Sequence, residues 1–141
     1  MNQLQQSAKR LDDQCHGFTA ARQRILVIED DPDISHLLEI HLRDNAYQVD
    51  VVGNGIDGLE RASKHPYQLI VLDLMLPGID GLEVCRRLRQ DKTLSPGMKI
   101  IAMTAHSNKY DRETELASGA DEYLVKPFDM QTLQDHVEKL L

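Results

Sequence analysis

The chain has 141 residues, 41% hydrophobic and 28% charged, with 16 Lys and Arg against 23 Asp and Glu and a formal net charge of −7. This is the make-up of one soluble globular domain with its own core, and the negative balance argues against wholesale binding to nucleic acid or acidic membranes. No apolar stretch is long enough to span a bilayer, MNQLQQSAKRLDDQC lacks the apolar core of a secretory signal, and Cys15 and Cys85, without metal-type spacing, fit reduced thiols of a cytoplasmic protein.

Residues 1–22 read as a tail or linker, and residues 23–141 as the folded domain. Leu4, Ala8, Leu11 and Cys15 recur at helical spacing in the tail, but an isolated helix of that length is marginal in water. The first strand is predicted at ILVI (25–28). DPDISHLLEIHLRDN follows, with an Asp and a Pro suited to a helix start and Ile34, Leu37, Leu38 and Leu42 on one face. A second strand, YQVDVV (47–52), precedes the helical GIDGLERASKH (55–65). LIVLDLML (69–76) is the third strand and GLEVCRRLRQD (81–91) the next helix. MKIIAMT (98–104) is followed by a helix over 108–119, NKYDRETELASG, which Gly119 terminates. EYLVK (122–126) and the helix DMQTLQDHVEKLL (129–141) complete the chain.

Runs of Ile, Val and Leu without polar alternation predict strands buried on both faces of a parallel sheet. Five strands alternating with five helices then form right-handed crossovers in a doubly wound α/β sandwich, with helices on both faces. Such sheets place ligands beyond the carboxyl ends of their strands. At those ends stand Glu29, Asp30 and Asp31 after the first strand and Asp73 in the third. Thr104 ends the fourth, and Lys126 and Pro127 follow the fifth.

Several acids brought together repel unless a proton or a cation sits between them. Oxygen donors without His or Cys favour a hard cation, and Mg²⁺ takes one or two carboxylates while keeping waters. Asp73 then reads as part metal site and part nucleophile, because a carboxylate can attack phosphorus to give an aspartyl phosphate. Phosphoryl transfer needs mainly positioning and charge neutralisation. Lys126 and the Thr104 hydroxyl are placed to supply both at the phosphoryl oxygens.

With ILVIEDD (25–31), VLDLMLPGIDG (71–81), MTA (103–105) and EYLVKPF (122–128) in this order and spacing, the chain resembles a receiver domain of the bacterial response regulators over roughly residues 24–141. The resemblance implies the flavodoxin-like strand order 2-1-3-4-5. It implies Asp73 as phosphoacceptor, Asp30 as a direct Mg²⁺ ligand, Glu29 acting through a metal-bound water and Met75 offering its backbone carbonyl. Asp31 matches no liganding position and serves the helix that begins beside it. Lys126 would pair with Asp73 at rest and with the phosphoryl group afterwards, across a cis Lys126–Pro127 bond.

Thr104 and Tyr123 resemble the family's switch pair. A phosphoryl group drawing the threonine hydroxyl inward would let Tyr123 turn from an exposed to a buried rotamer, changing the face made by the fourth helix, fifth strand and fifth helix. The partners implied are a histidine kinase or histidine phosphotransfer domain and a downstream protein, without direct contact to nucleic acid or membrane. The resemblance also implies that Met75 and His106 stand at two variable positions which, in that family, influence how fast water removes the phosphoryl group.

Three other functions compete. A phosphatase of the haloacid dehalogenase-like class would carry a second acid two residues after its nucleophile, where this chain has Met75. A nucleotide or flavin module needs a glycine-rich first loop, and EDDPD is acidic and has none. A receiver-like scaffold that is never phosphorylated remains open, as does a piece of a longer regulator or hybrid kinase.

Overall fold

A computed structural model describes residues 22–94, 97–105 and 119–141. The order is β1 (Arg24–Ile28), α1 (Pro32–Asp44), β2 (Gln48–Val52), α2 (Gly55–Lys64), β3 (Leu69–Asp73), α3 (Gly81–Gln90), β4 (Lys99–Thr104), β5 (Glu122–Val125) and α4 (Met130–Leu140). All pairings are parallel and the sheet order is β2-β1-β3-β4-β5. The doubly wound sheet anticipated from the sequence is therefore the observed one. Four helices lie among the described residues. Residues 1–21 of the tail, His106 and all of the expected 108–119 helix but Gly119 fall outside them.

Alternate residues of the central strands feed two separate cores, as a period of two requires. Leu26, Ile28, Ile70, Leu72, Ile100 and Ala102 point to one face, where Ala62 of α2 and Val84, Cys85 and Leu88 of α3 cover them. Ile25, Val27, Leu69, Val71, Ile101 and Met103 point to the other, beneath Leu38 and Leu42 of α1 and Leu133 and Val137 of α4. Each of the four described helices starts from an Asp or Asn side chain that accepts backbone N–H groups: Asp31, Asn54, Asp80 and Asp129. Asp31 is thus a cap, as its place before Pro32 implied.

Two details differ from the sequence reading. β3 stops at Asp73 rather than Leu76, because the Asp73 carboxylate takes the Met75 N–H at 2.9 Å and turns the chain toward Pro77 and Gly78, the latter at φ +78. Leu37 is 58% exposed. The buried arc of α1 is centred on Ser35, Leu38 and Leu42, and Leu37 falls off its edge.

Gly81, the first residue of α3, sets how closely that helix approaches the end of β3. A Cβ there would collide with Leu74 Cα and lie 2.7 Å from the Asp73 carbonyl oxygen. Both are backbone atoms, which cannot rotate away. Gly81→Ala is expected to destabilise the domain by about 1–3 kcal/mol, read as a lower urea midpoint at unchanged slope; a midpoint within error of wild type would show that this loop can move.

Candidate functional site

The chain leaves β1 for α1 on one face and β3 for α3 on the other. Because β1 and β3 are neighbours, the carboxyl edge opens there into a crevice, the switch point of a doubly wound sheet. Glu29 and Asp30 follow β1 and Asp73 ends β3, so two short turns deliver three carboxylates to one point. Ligand oxygens of all three lie within 4.8 Å of one another.

Glu29 and Asp73 are each only 2% exposed, while Asp30 is exposed. Glu29 accepts the Asp31 N–H at 3.1 Å. Lys126, immediately after β5, reaches across with its Nζ 3.0 Å from Glu29 Oε1 and 3.3 Å from Asp73 Oδ2. Its own N–H donates to the Thr104 carbonyl at 2.7 Å, which ties the lysine's backbone to the end of β4. The Lys126–Pro127 peptide is cis.

The charges balance unevenly. Burial pushes the Glu29 carboxyl up to about 7; the Asp31 N–H and Lys126 oppose this, and Asp73 adds to it. For Lys126, burial alone would lower the pKa, but the Glu29 hydrogen bond and the Asp73 charge outweigh it and hold the ammonium above its ordinary value. Three acids thus face one permanent cation. The donor set is all oxygen, with one carboxylate open to solvent, and this fits a hard divalent ion that retains waters. Met75, directly beyond, is 55% exposed.

Thr104 is fully buried at the end of β4. Tyr123 sits on β5, paired with Ala102, half-buried against the same core as α3. The structure therefore assembles Glu29, Asp30, Asp73, Met75, Thr104 and Lys126 at one edge, with Tyr123 on the adjoining strand. Two features were not read from sequence. Lys126 is shared with Glu29 as closely as with Asp73. Arg89 at the end of α3 donates to the carbonyls of Gly119 at 2.6 Å and Met98 at 2.7 Å, and it pairs with Asp121. Asp121 in turn accepts the Ile100 N–H at 2.8 Å, so this cluster fixes the start of β5 against β4.

An α/β sandwich with this acid cluster and lysine at its switch point can hold a hard cation beside an anionic group. The chain belongs to the response regulator receiver domain family, whose model matches residues 25–138. It is a receiver domain of the two-component kind, a signalling protein. Among curated relatives, Response regulator ArlR of Staphylococcus aureus is 44% identical over 118 residues, which are 84% of this chain and 52% of that protein. The chain thus spans about half the length of these relatives.

Solved structures agree. The receiver domain of sensor histidine kinase PA1611 from Pseudomonas aeruginosa PAO1, which has a magnesium ion coordinated in its active site cleft, is 35% identical, with a TM-score of 0.77 covering 85% of this chain and 98% of that one. The signal receiver domain of a signal transduction histidine kinase from Syntrophus aciditrophicus gives 32%, 0.78, 84% and 89%. Vibrio cholerae chemotaxis protein CheY4 gives 26%, 0.80, 86% and 100%. Among the described residues, no helix is long and apolar enough to cross a membrane.

Proposed function

We propose that Asp73 accepts a phosphoryl group from a phosphohistidine of a histidine kinase or phosphotransfer protein. The observation that carries this is the buried Asp73 carboxylate held between Lys126 and two further acids at the switch point. One Asp73 oxygen forms a bond to phosphorus as the phosphorus–nitrogen bond breaks, and the donor imidazole leaves with the electron pair. Mg²⁺, held by Asp30 and Asp73 directly, by Glu29 through water and by the Met75 carbonyl, would neutralise charge on the phosphoryl oxygens. Lys126 covers a second oxygen and the Thr104 hydroxyl donates to a third. Tyr123 then follows Thr104 and alters the surface beside β5 for a downstream protein. The reaction takes place in the cytoplasm, and the chain catalyses only its own phosphorylation and dephosphorylation.

Intact mass after incubation with acetyl phosphate tests this. One phosphoryl adduct is expected with Mg²⁺ and none without it, and none on Asp73→Asn. A folded wild type that gains no adduct would favour the scaffold reading.

The exposed apolar Met75 next to Asp73 argues against turnover of small phosphate esters, because no acid stands there to protonate a leaving group. It also shields the phosphorus from in-line water. Met75→Asn is expected to shorten the phosphoryl lifetime several-fold, followed as loss of the adduct with time; equal decay rates would remove the shielding role.

A further inference from the structure

At the end of the sheet opposite the acids, the first residues of β1 and β2 and the last turn of α1 surround an open cleft of about 400 Å³. Arg22, Arg24 and Arg43 line it, with Tyr47, Gln48 and Asp50. In a chain of net charge −7, three guanidiniums gather here against two carboxylates, Asp50 in the lining and Glu39 beside Arg43, which leaves a small positive excess.

The carboxylates that oppose an anion there are Asp50 and Glu39, each paired with one of the arginines, and Glu138, which acts on Tyr47 from α4. Asp50 pairs with Arg24 Nη2 at 3.2 Å and accepts the Tyr67 hydroxyl at 2.5 Å. The negative end of α1 faces this way, but the carbonyls of His41, Leu42 and Arg43 accept the N–H groups of Asn45, Ala46 and Tyr47.

The arginines are also held in place. Arg24 lies over the Tyr67 ring, 5.1 Å from its centroid. Arg43 Nη2 is fixed by Glu39 at 2.9 Å and by the Val49 carbonyl at 3.0 Å. A guanidinium has five N–H donors, so both retain donors for a guest, and Arg22 is exposed at the rim.

We propose that this cleft binds a small, multiply charged oxyanion with the chemistry of a di- or triphosphate. Planar forks spread around the hollow match several phosphoryl groups better than one carboxylate. The charge is gathered in a concavity rather than along a face, which favours a compact ligand over a nucleic-acid backbone. The inference does not depend on the phosphoacceptor assignment, because the acids lie at the other end of the strands.

The test is calorimetric titration of the full chain with tripolyphosphate in Mg²⁺-free buffer. Wild type and Asp73→Asn are expected to bind alike. The double variant Arg22→Gln, Arg43→Gln is expected to bind about tenfold more weakly, as loss of charge-assisted hydrogen bonds implies, while still accepting phosphate from acetyl phosphate. Arg43→Lys, which keeps the charge and loses the fork, should fall between. No binding by wild type, equal binding by the double variant, or loss of binding in Asp73→Asn overturns the proposal. A DNA duplex that binds more tightly than tripolyphosphate, in an arginine-dependent way, would instead make this a nucleic-acid surface.

Discussion

Lys126→Met is expected to destabilise the metal-free domain by about 3–5 kcal/mol at pH 8, the range for removing one partner of a buried ion pair. Methionine keeps the length and apolar stem of lysine, so packing changes little and the loss isolates the charge. Glu29 and Asp73, each 2% exposed, would then face one another with no ammonium between them. Glu29 can escape by taking a proton, so the cost should shrink toward pH 5. Adding Glu29→Gln to the same chain should restore much of the loss at pH 8, because Glu29 Oε1 is the nearer partner at 3.0 Å. Urea unfolding of the two single variants and the double variant measures the coupling directly. A single-variant loss under about 1 kcal/mol at pH 8 would show that the pair is screened by solvent.

How much of this was legible beforehand follows from what each feature depends on. The central strands were readable because both faces are buried and no polar alternation intervenes. The overrun past Asp73 arose because Leu74 and Leu76 are also buried, 6% and 9% exposed, while belonging to a turn. Apolar runs report burial, and only the Asp73–Met75 hydrogen bond reveals that the ladder has ended. Leu37 was misplaced for the converse reason: an apolar side chain near the edge of a helical stripe need not be covered.

At the site, strand order alone brings Glu29, Asp30, Asp73, Thr104 and Lys126 to one edge, so those residues could be named from sequence. Depth could not, and depth decides that Lys126 is divided between two acids and that Asp30 faces solvent. Arg89 was unreadable in principle, since two of its partners are the backbone carbonyls of Gly119 and Met98, which leave no trace in side-chain identity.

The second large effect is a stability that falls with rising pH in EDTA and is restored by Mg²⁺. Glu29 ionises near 4.5 in an unfolded chain and at about 7 in the fold, chiefly through burial. Between those values the native state binds the extra proton, so stability from this group is full below 4.5 and is lost as pH climbs to about 7. The whole shift corresponds to about 3–4 kcal/mol, of which about 2–3 kcal/mol falls between pH 5 and pH 8. Lys126 has a raised pKa, and its contribution is lost only at alkaline pH, outside this window. Asp50, held low by the Tyr67 and Arg24 hydrogen bonds against its burial, loses its contribution only in acid.

Thermal unfolding of wild type and Glu29→Gln at pH 5 and pH 8 in EDTA isolates the group. The wild type is expected to lose about 2–3 kcal/mol more than the variant over that interval. Mg²⁺ at a hundred times its dissociation constant should return about 2.7 kcal/mol to wild type at pH 8, because the cation takes the place of the proton among the acids. Parallel pH profiles for the two proteins would mean that Glu29 is ionised throughout, and Lys126 alone would then balance the site. A steeper wild-type profile ties the acceptor's readiness to a carboxyl group that the fold keeps short of a cation.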